Sequence, residues 1–278
     1  MTPRKLIRET AALFRRAGIP DPENDSALLL AHLTGKTPLS LRLDTDTELD
    51  PSVISAFQVL SARRMERIPL QYLLGEAPFF RRMFKVDSHV LIPRPETELL
   101  CEWALELLPD RCSPRILDLC CGSGAIGLTL KAERPGASVT LSDVSEDALN
   151  VAAVNAVRLS LDVSFRRTDL LEGFEPSSFD LIVSNPPYIP SEDCDRLQPE
   201  VLREPRLALD GGPDGFDLYR KIICASGNVL APGGMLLMEL GINESEYLSR
   251  FLADHGFIHI RTRTDYAGID RMILAARP

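Results

Sequence analysis

No apolar run in this 278-residue chain approaches the ~18 residues that a membrane-spanning helix needs, so no membrane partner is expected. The opening residues, Met1-Thr2-Pro3-Arg4-Lys5-Leu6-Ile7-Arg8-Glu9, lack the apolar core of a secretory signal, which points to a soluble, cytoplasmic protein. Basic excess is missing as well. The chain has 31 Lys/Arg against 40 Asp/Glu, a net charge of −9, and so is not built for stable binding to nucleic-acid phosphates. Its six cysteines (Cys101, Cys112, Cys120, Cys121, Cys194 and Cys224) form no C-x-x-C. Its histidines (His32, His89, His255 and His259) fall at no metal-ligand spacing. No metal centre is expected, and the thiols read as small apolar side chains in a reducing compartment. Only the adjacent pair Cys120-Cys121 offers a competing redox reading. Internal repeats and low-complexity stretches are absent, which excludes repeat architectures.

What is present divides by charge. Residues 1–86 carry 13 Lys/Arg and 10 Asp/Glu, whereas residues 87–278 carry 18 and 30. With 45% hydrophobic residues, the chain can bury a substantial core, in two domains. Leu6, Leu13 and Phe14 fall near helical spacing among Arg4, Lys5, Arg8, Arg15 and Arg16. Asp21-Pro22-Glu23 reads as an N-cap, a proline at the first helical position and a first-turn acid. Residues 27–33 follow as an apolar helix that Gly35 stops. Asp50-Pro51 opens another helix, through Val53, Phe57, Leu60 and Met65. Residues 1–68 are therefore expected to form a small helical bundle. Short strands near 71–74, 78–86 and 89–91 should make a hairpin connector over residues 69–92, with the main domain at 93–278. The bundle's basic residues are either a solvated face or a surface for an acidic partner. Arg63, Arg64 and Arg67 are best placed for the partner reading.

The second part has the pattern of an open parallel sheet. The apolar strand Arg115-Ile116-Leu117-Asp118-Leu119 runs into Cys120-Cys121-Gly122-Ser123-Gly124, and a helix follows through Ile126, Leu128 and Leu130. Glycines in such a turn permit positive φ and close approach of a ligand. Gly122, Gly124 and Gly127 also match G-x-G-x-x-G, which taken alone fits a dinucleotide. The next strand, residues 138–142, ends at Asp143. That carboxylate can accept both hydroxyls of a ribose or cap the following helix, for which Ser145 is the better residue. A third strand ends in Thr168-Asp169-Leu170, where Asp169 either accepts from an adenine amino group or simply faces water. A fourth, Phe179-Asp180-Leu181-Ile182-Val183-Ser184, delivers Asn185-Pro186-Pro187-Tyr188. Asp118, Asp143, Asp169 and Asn185 thus lie at or just beyond successive strand ends, which line one ligand-binding edge in a doubly wound sheet. The two prolines have no N–H and cannot continue a strand ladder. Their carbonyls and the Asn185 side-chain oxygen make a stiff acceptor array suited to a planar amino group.

This order, closed by Pro232-Gly233-Gly234, resembles a class I S-adenosylmethionine-dependent N-methyltransferase. Three stretches narrow it: Gln71-Tyr72-Leu73-Leu74-Gly75-Glu76; His89-Val90-Leu91-Ile92-Pro93-Arg94-Pro95-Glu96-Thr97-Glu98; and Glu204-Pro205 through Gly211-Gly212-Pro213-Asp214-Gly215 to Tyr219-Arg220. With these the chain resembles the glutamine methyltransferases of peptide chain release factors, the HemK/PrmC family. The resemblance covers nearly the whole chain and is strongest from residue 71 to 240. It implies an α/β fold: a Rossmann-like seven-stranded mixed sheet with an antiparallel edge hairpin, preceded by a helical substrate-recognition domain. It implies S-adenosylmethionine as cofactor, held by Asp118, Cys120, Cys121, Gly122, Ser123, Gly124, Asp143, Asp169, Leu170 and Asn185. It also implies methyl transfer to the amide nitrogen (N5) of the glutamine in the Gly-Gly-Gln loop of release factors, with Asn185, Pro186, Pro187 and Tyr188 as the catalytic array.

Several readings stay open. Residues 92–98 are expected to wall the cofactor pocket, and Glu96 also suits a helix start. Residues 211–215 look like a flexible turn into a helix that Asp214 caps. Cys120 stands where the family more usually has a glycine, so an ordinary φ is expected there. Leu170 replaces an aromatic residue found in some relatives. A glutamine methyltransferase of a ribosomal protein would share these residues. An adenine or guanine N-methyltransferase would use the same array on a flipped base, although the acidic charge counts against it. A non-catalytic cofactor-binding scaffold or an NAD-dependent oxidoreductase would leave the acceptor array unexplained.

Overall fold

Prolines open the first helices. In the computed structural model, which describes residues 1–108 and 113–278 (Cys112 lies outside them), α1 (Pro3–Arg16), α2 (Pro22–Thr34), α3 (Pro38–Leu43) and α4 (Pro51–Met65) each begin on one. At that position a missing N–H leaves no hydrogen bond unmade. Thr37 and Asp50 cap α3 and α4 by accepting from Ser40 and Ser52 N–H, whereas the Asp21 side chain makes no such bond. Gly35, at φ 68°, ends α2. Residues 71–74, expected as a strand, are instead helical in α5 (Leu70–Leu74). Leu70 and Leu73 are buried one helical turn apart, and Gly75 closes the turn in the left-handed conformation. Leu6, Ile7, Phe14, Leu29, Leu30 and Phe57 form the core of these helices.

The chain divides into two compact units, Met1–Glu76 with Gln198–Arg203, and Ala77–Leu197 with Glu204–Pro278. In the first, two of the three arginines best placed for a partner, Arg64 and Arg67, are engaged within the fold. Arg64 is 4% exposed; its guanidinium donates to Asp25 and Glu200, each at 2.8 Å. Arg67 adds a two-pronged bond to Glu200 at 2.7 and 2.6 Å. Burial opposes ionisation of Glu200, yet the bonds from Arg67 and Arg64 win and hold its carboxyl down to about 2. Buried guanidinium charge needs such partners. Of the three arginines, only Arg63 is exposed.

A two-stranded hairpin, β1 (Glu76–Phe79) and β2 (Arg82–Lys85), starts at the last residue of the stretch Met1–Glu76 and continues into the second unit; residues 89–91 form no strand. There follow α6 (Pro95–Leu107), β3 (Arg115–Leu119), α7 (Ala125–Glu133), β4 (Ser138–Asp143), α8 (Glu146–Leu159), β5 (Ser164–Arg167) and β6 (Phe179–Ser184). The chain closes with α9 (Asp217–Val229), β7 (Leu230–Glu239), α10 (Ser245–Asp254), β8 (Ile258–Thr264) and β9 (Asp270–Ala276). The sheet runs β5-β4-β3-β6-β7-β9-β8, with β3 to β7 parallel and β9 antiparallel to both its neighbours. This is the seven-stranded mixed sheet with an antiparallel edge hairpin that the resemblance implied. Strand order reverses between β3 and β6, the point where such sheets bind ligands.

Alternation along the strands loads both faces. Ile116, Leu141 and Val183 pack with Trp103, Leu128 and Leu130 on one side. Leu117, Ile182 and Leu236 pack with Tyr219, Ile222 and Leu252 on the other. Among the described residues no helix is long and apolar enough to cross a membrane. Replacing Arg64 by Ala strands Asp25 and part of Glu200 in the interior and should cost roughly 3–5 kcal/mol. A urea-unfolding midpoint equal to that of the wild type would contradict the structural role of this pair.

Candidate active site

Register brings the strand ends level. Leu119 pairs with both Ser142 and Ser184, and Asp143 pairs with Arg167. The residues that follow therefore leave the sheet side by side, around a cavity of about 350 Å³. Among the expected residues, Cys120, Cys121, Gly122, Ser123, Asp143, Asp169, Leu170, Asn185 and Pro187 line it. Asp118, Gly124, Pro186 and Tyr188 are not part of its wall.

The turn after β3 is tighter than the sequence suggested. Cys120 has φ 59°, in the left-handed region and not the ordinary one expected of a cysteine. The turn imposes this: Cys121 N–H donates to the Ser142 carbonyl at 3.0 Å and Gly124 N–H to that of Cys121 at 2.8 Å. A side chain in that conformation costs about 1 kcal/mol, which a glycine would avoid. Burial and the neighbouring Asp143 push the Cys120 thiol up, and burial pushes that of Cys121 up too, so both are neutral, free thiols. That chemistry is poor for redox exchange.

Gly122 has open space where a Cβ would stand. Its N–H donates to Asp143 Oδ2 and that of Ser145 to Oδ1, each at 2.9 Å. Ser145 itself caps α8, its hydroxyl accepting from Ala148 N–H. Asp118 lies beneath the turn, wholly buried, with Oδ2 accepting from Gly127 N–H at 2.7 Å and Oδ1 without a partner among the described residues. Burial, with the charge of Asp143 added, raises its carboxyl to about 7 against the Gly127 bond. Gly127 is glycine for packing: a Cβ there would sit 2.8 Å from that of Asp118. Asp169 is exposed at the cavity, beside the half-buried Leu170.

At the end of β6, Asn185 donates from Nδ2 to Thr97 Oγ1 at 3.2 Å. Thr97 in turn donates to Glu239 Oε2 at 2.5 Å. Tyr188 makes a longer bond, 3.4 Å, to Glu239 Oε1, and Tyr219 donates to the Glu239 carbonyl at 2.8 Å. Glu239 is 3% exposed, and burial raises its carboxyl to about 7 despite Thr97 and Arg271. Asn185 Oδ1 has no partner among the described residues.

Gly211 and Gly215 answer to close packing against this segment. A Cβ on Gly211 would lie 2.7 Å from Tyr188 Cα, and one on Gly215 2.5 Å from the Tyr188 carbonyl oxygen. Ile189 N–H donates to the Leu209 carbonyl and Gly211 N–H to that of Ile189. Asp214 accepts from Phe216 N–H just ahead of α9 and pairs with Arg220 on α9, so it ties the turn to the helix without capping it. Pro93, Arg94 and Thr97 wall the cavity; Glu96 is exposed.

The sequence reading assigned no contacts to four supporting residues, although Glu204 and Thr97 lay in stretches it had singled out. Glu204 accepts from Ile92 N–H at 2.9 Å and from Arg94 at 2.5 Å, tying residues 92–94 to the opposite wall. Asn155, wholly buried on α8, binds both backbone groups of Lys85 and the Ser123 carbonyl, and so fixes the glycine turn to the hairpin. Thr97 and Glu239 are the other two. An acid ending the apolar run Met235-Leu236-Leu237-Met238 was the one visible signal for Glu239.

Comparison with known proteins agrees with this geometry. The methyltransferase small domain model matches residues 97–213, and the PrmC N-terminal domain model matches residues 5–75. The release factor glutamine methyltransferase of Deinococcus radiodurans is 40% identical over 274 residues, which is 99% of this chain and 98% of that protein. That of Geobacter sulfurreducens is 40% identical over 273 residues, 98% of this chain and 95% of that protein. The crystal structure of a methyltransferase from Pyrococcus furiosus shares the fold, with a TM-score of 0.56 at 18% identity, over 78% of this chain and 98% of that one. Sheet order, strand-end residues and near full-length similarity converge: the chain belongs to the release factor glutamine methyltransferase family.

Proposed function

We propose that this chain transfers a methyl group from S-adenosylmethionine to the side-chain amide nitrogen of the glutamine in the Gly-Gly-Gln loop of peptide chain release factors, and so modulates translation termination. The observation that carries the reading is Asn185 on the cavity wall, with Nδ2 committed to Thr97 and Oδ1 free to accept.

The residues present fit S-adenosylmethionine. Its ribose hydroxyls and adenine amino group are donors, and the cavity offers Asp143 and Asp169 as acceptors, the open backbone of Gly122 and apolar contacts from Leu170 and Ile126. Both Asp143 oxygens already receive a backbone N–H, which fixes the carboxylate while leaving lone pairs for the ribose. When bound, the cofactor supplies a methyl on a sulfonium sulfur, already electrophilic.

The chain's own task is to prepare the amide. An amide nitrogen is a weak nucleophile because its lone pair is delocalised into the carbonyl. Asn185 Oδ1 and the Pro186 carbonyl each accept one of its N–H groups and hold the nitrogen in line with the methyl. The same two oxygens would stabilise the positive charge that grows on nitrogen as the methyl's bond to sulfur breaks in favour of the N–C bond, the sulfur leaving as a neutral thioether. The surplus proton then leaves to water from an acidic nitrogen, so no general base is needed.

Incubation with methyl-labelled S-adenosylmethionine should label a full-length release factor but not a copy whose loop glutamine is alanine; label on both, or on neither, contradicts the proposal. Asn185→Ala should lower kcat by about 10²–10³-fold and leave the cofactor Kd within a few-fold. Equal losses in both would remove the acceptor role. Asp143→Ala should do the reverse, raising the cofactor Kd by about 10–100-fold. Calorimetry showing an unchanged Kd would rule out its ribose role.

A further inference from the structure

We infer that Thr97 and Glu239 form a positioning relay that fixes which end of the Asn185 amide faces the acceptor site. The inference rests on the proposed role of Asn185 Oδ1. The two ends of an asparagine amide are nearly the same size, so shape alone does not choose between them. A site that receives an N–H needs oxygen turned outward; an NH2 there would repel the substrate.

The choice is made two residues away. An ionised carboxylate only accepts, and Glu239 Oε2 takes the Thr97 hydroxyl hydrogen at 2.5 Å. The Thr97 oxygen then has only lone pairs left for Asn185, 3.2 Å away. Nδ2 satisfies them. Oδ1 would set two acceptors against each other. The relay is itself braced: Thr97 is 4% exposed on α6, and the Glu239 backbone carbonyl is held by Tyr219 from α9.

Protonation would reverse the relay. The groups facing Glu239 are Glu96 and Cys101 from α6, Tyr188 from the segment after β6, Tyr219 from α9 and Arg271 from β9. Arg271 is engaged with Asp265 and the Leu240 carbonyl, so it contributes charge at a distance. Burial leaves Glu239 with a pKa of about 7. The working form is the carboxylate, present above that value. Below it, a protonated Glu239 donates to Thr97, the Thr97 hydrogen turns to Asn185, and the amide rotates to present NH2. Turnover therefore falls as pH drops through about 7.

The test combines kinetics with a signal that needs no substrate. Thr97→Val should lower kcat on release factor by about 10–100-fold, with the S-adenosylmethionine Kd within about twofold of wild type. Thr97→Ser, which keeps the hydroxyl, should restore most of the rate. Glu239→Gln should retain part of the rate and lose the acid limb of the pH profile. Wild-type kcat in Thr97→Val, a serine variant as slow as the valine, or an acid limb that survives in Glu239→Gln would each overturn the relay. In ¹⁵N-labelled protein, the Asn185 side-chain NH2, assigned by its loss in Asn185→Asp, should exchange slowly in wild type and fast in Thr97→Val. Equal exchange rates contradict the relay. Should wild type leave release factor unlabelled, the substrate proposal fails by itself, and this exchange measurement still decides the relay.

Discussion

The pairing of β3 with β6 is the constraint on which the site depends. The two strands lie side by side although some sixty residues separate them in the chain, and a buried bond at 2.7 Å from the Ser184 hydroxyl to the Leu119 carbonyl joins their last residues. That join places the glycine turn after Leu119 next to Asn185. One cavity then collects residues from the ends of β3, β4 and β6. A slip of one residue would turn Asp118 out of its seat under Gly127 and carry Asn185 away from Thr97, because side chains alternate between faces. The flanking helices hold this register from both sides through Trp103 and Leu128 on one face and Tyr219 and Leu252 on the other.

The ends of β3, β4 and β6 were legible because these parallel strands are short, mostly apolar runs, and the polar residue at or after each end stands out. Phe179–Ser184 is a strand over the residues its composition marks, Asp143 ends β4, and Asp169 lies just beyond β5, as read. Residues 71–74 misled because an aromatic next to two leucines also suits a strand. Burial of Leu70 and Leu73 against the bundle decides for a helix, and that is tertiary information. Arg64 and Arg67 failed for a related reason: no sequence pattern announces that Glu200, far along the chain, will neutralise them.

Backbone geometry hid the rest. Cys120 was read from what a cysteine prefers, but the turn is set by hydrogen bonds of its neighbours and accepts the strain. The glycines near 211 and 215 suggested freedom; Gly215, at φ 82°, uses it, and the Tyr188 backbone also presses close on both. Thr97 stood within a recognised stretch without any hint of its partner. Glu239, a buried acid at a strand end, supplies the reason for both Thr97 and the orientation of Asn185.

The central claim is that an oxygen pair, Asn185 Oδ1 and the Pro186 carbonyl, receives the two hydrogens of a glutamine amide. A crystal structure of the chain with S-adenosylhomocysteine and a Gly-Gly-Gln peptide tests it most directly. The glutamine nitrogen should lie within hydrogen-bond distance of both oxygens, with Asn185 Nδ2 still on Thr97. A glutamine nitrogen bound elsewhere, or an Asn185 that turns Nδ2 toward it, would contradict the account.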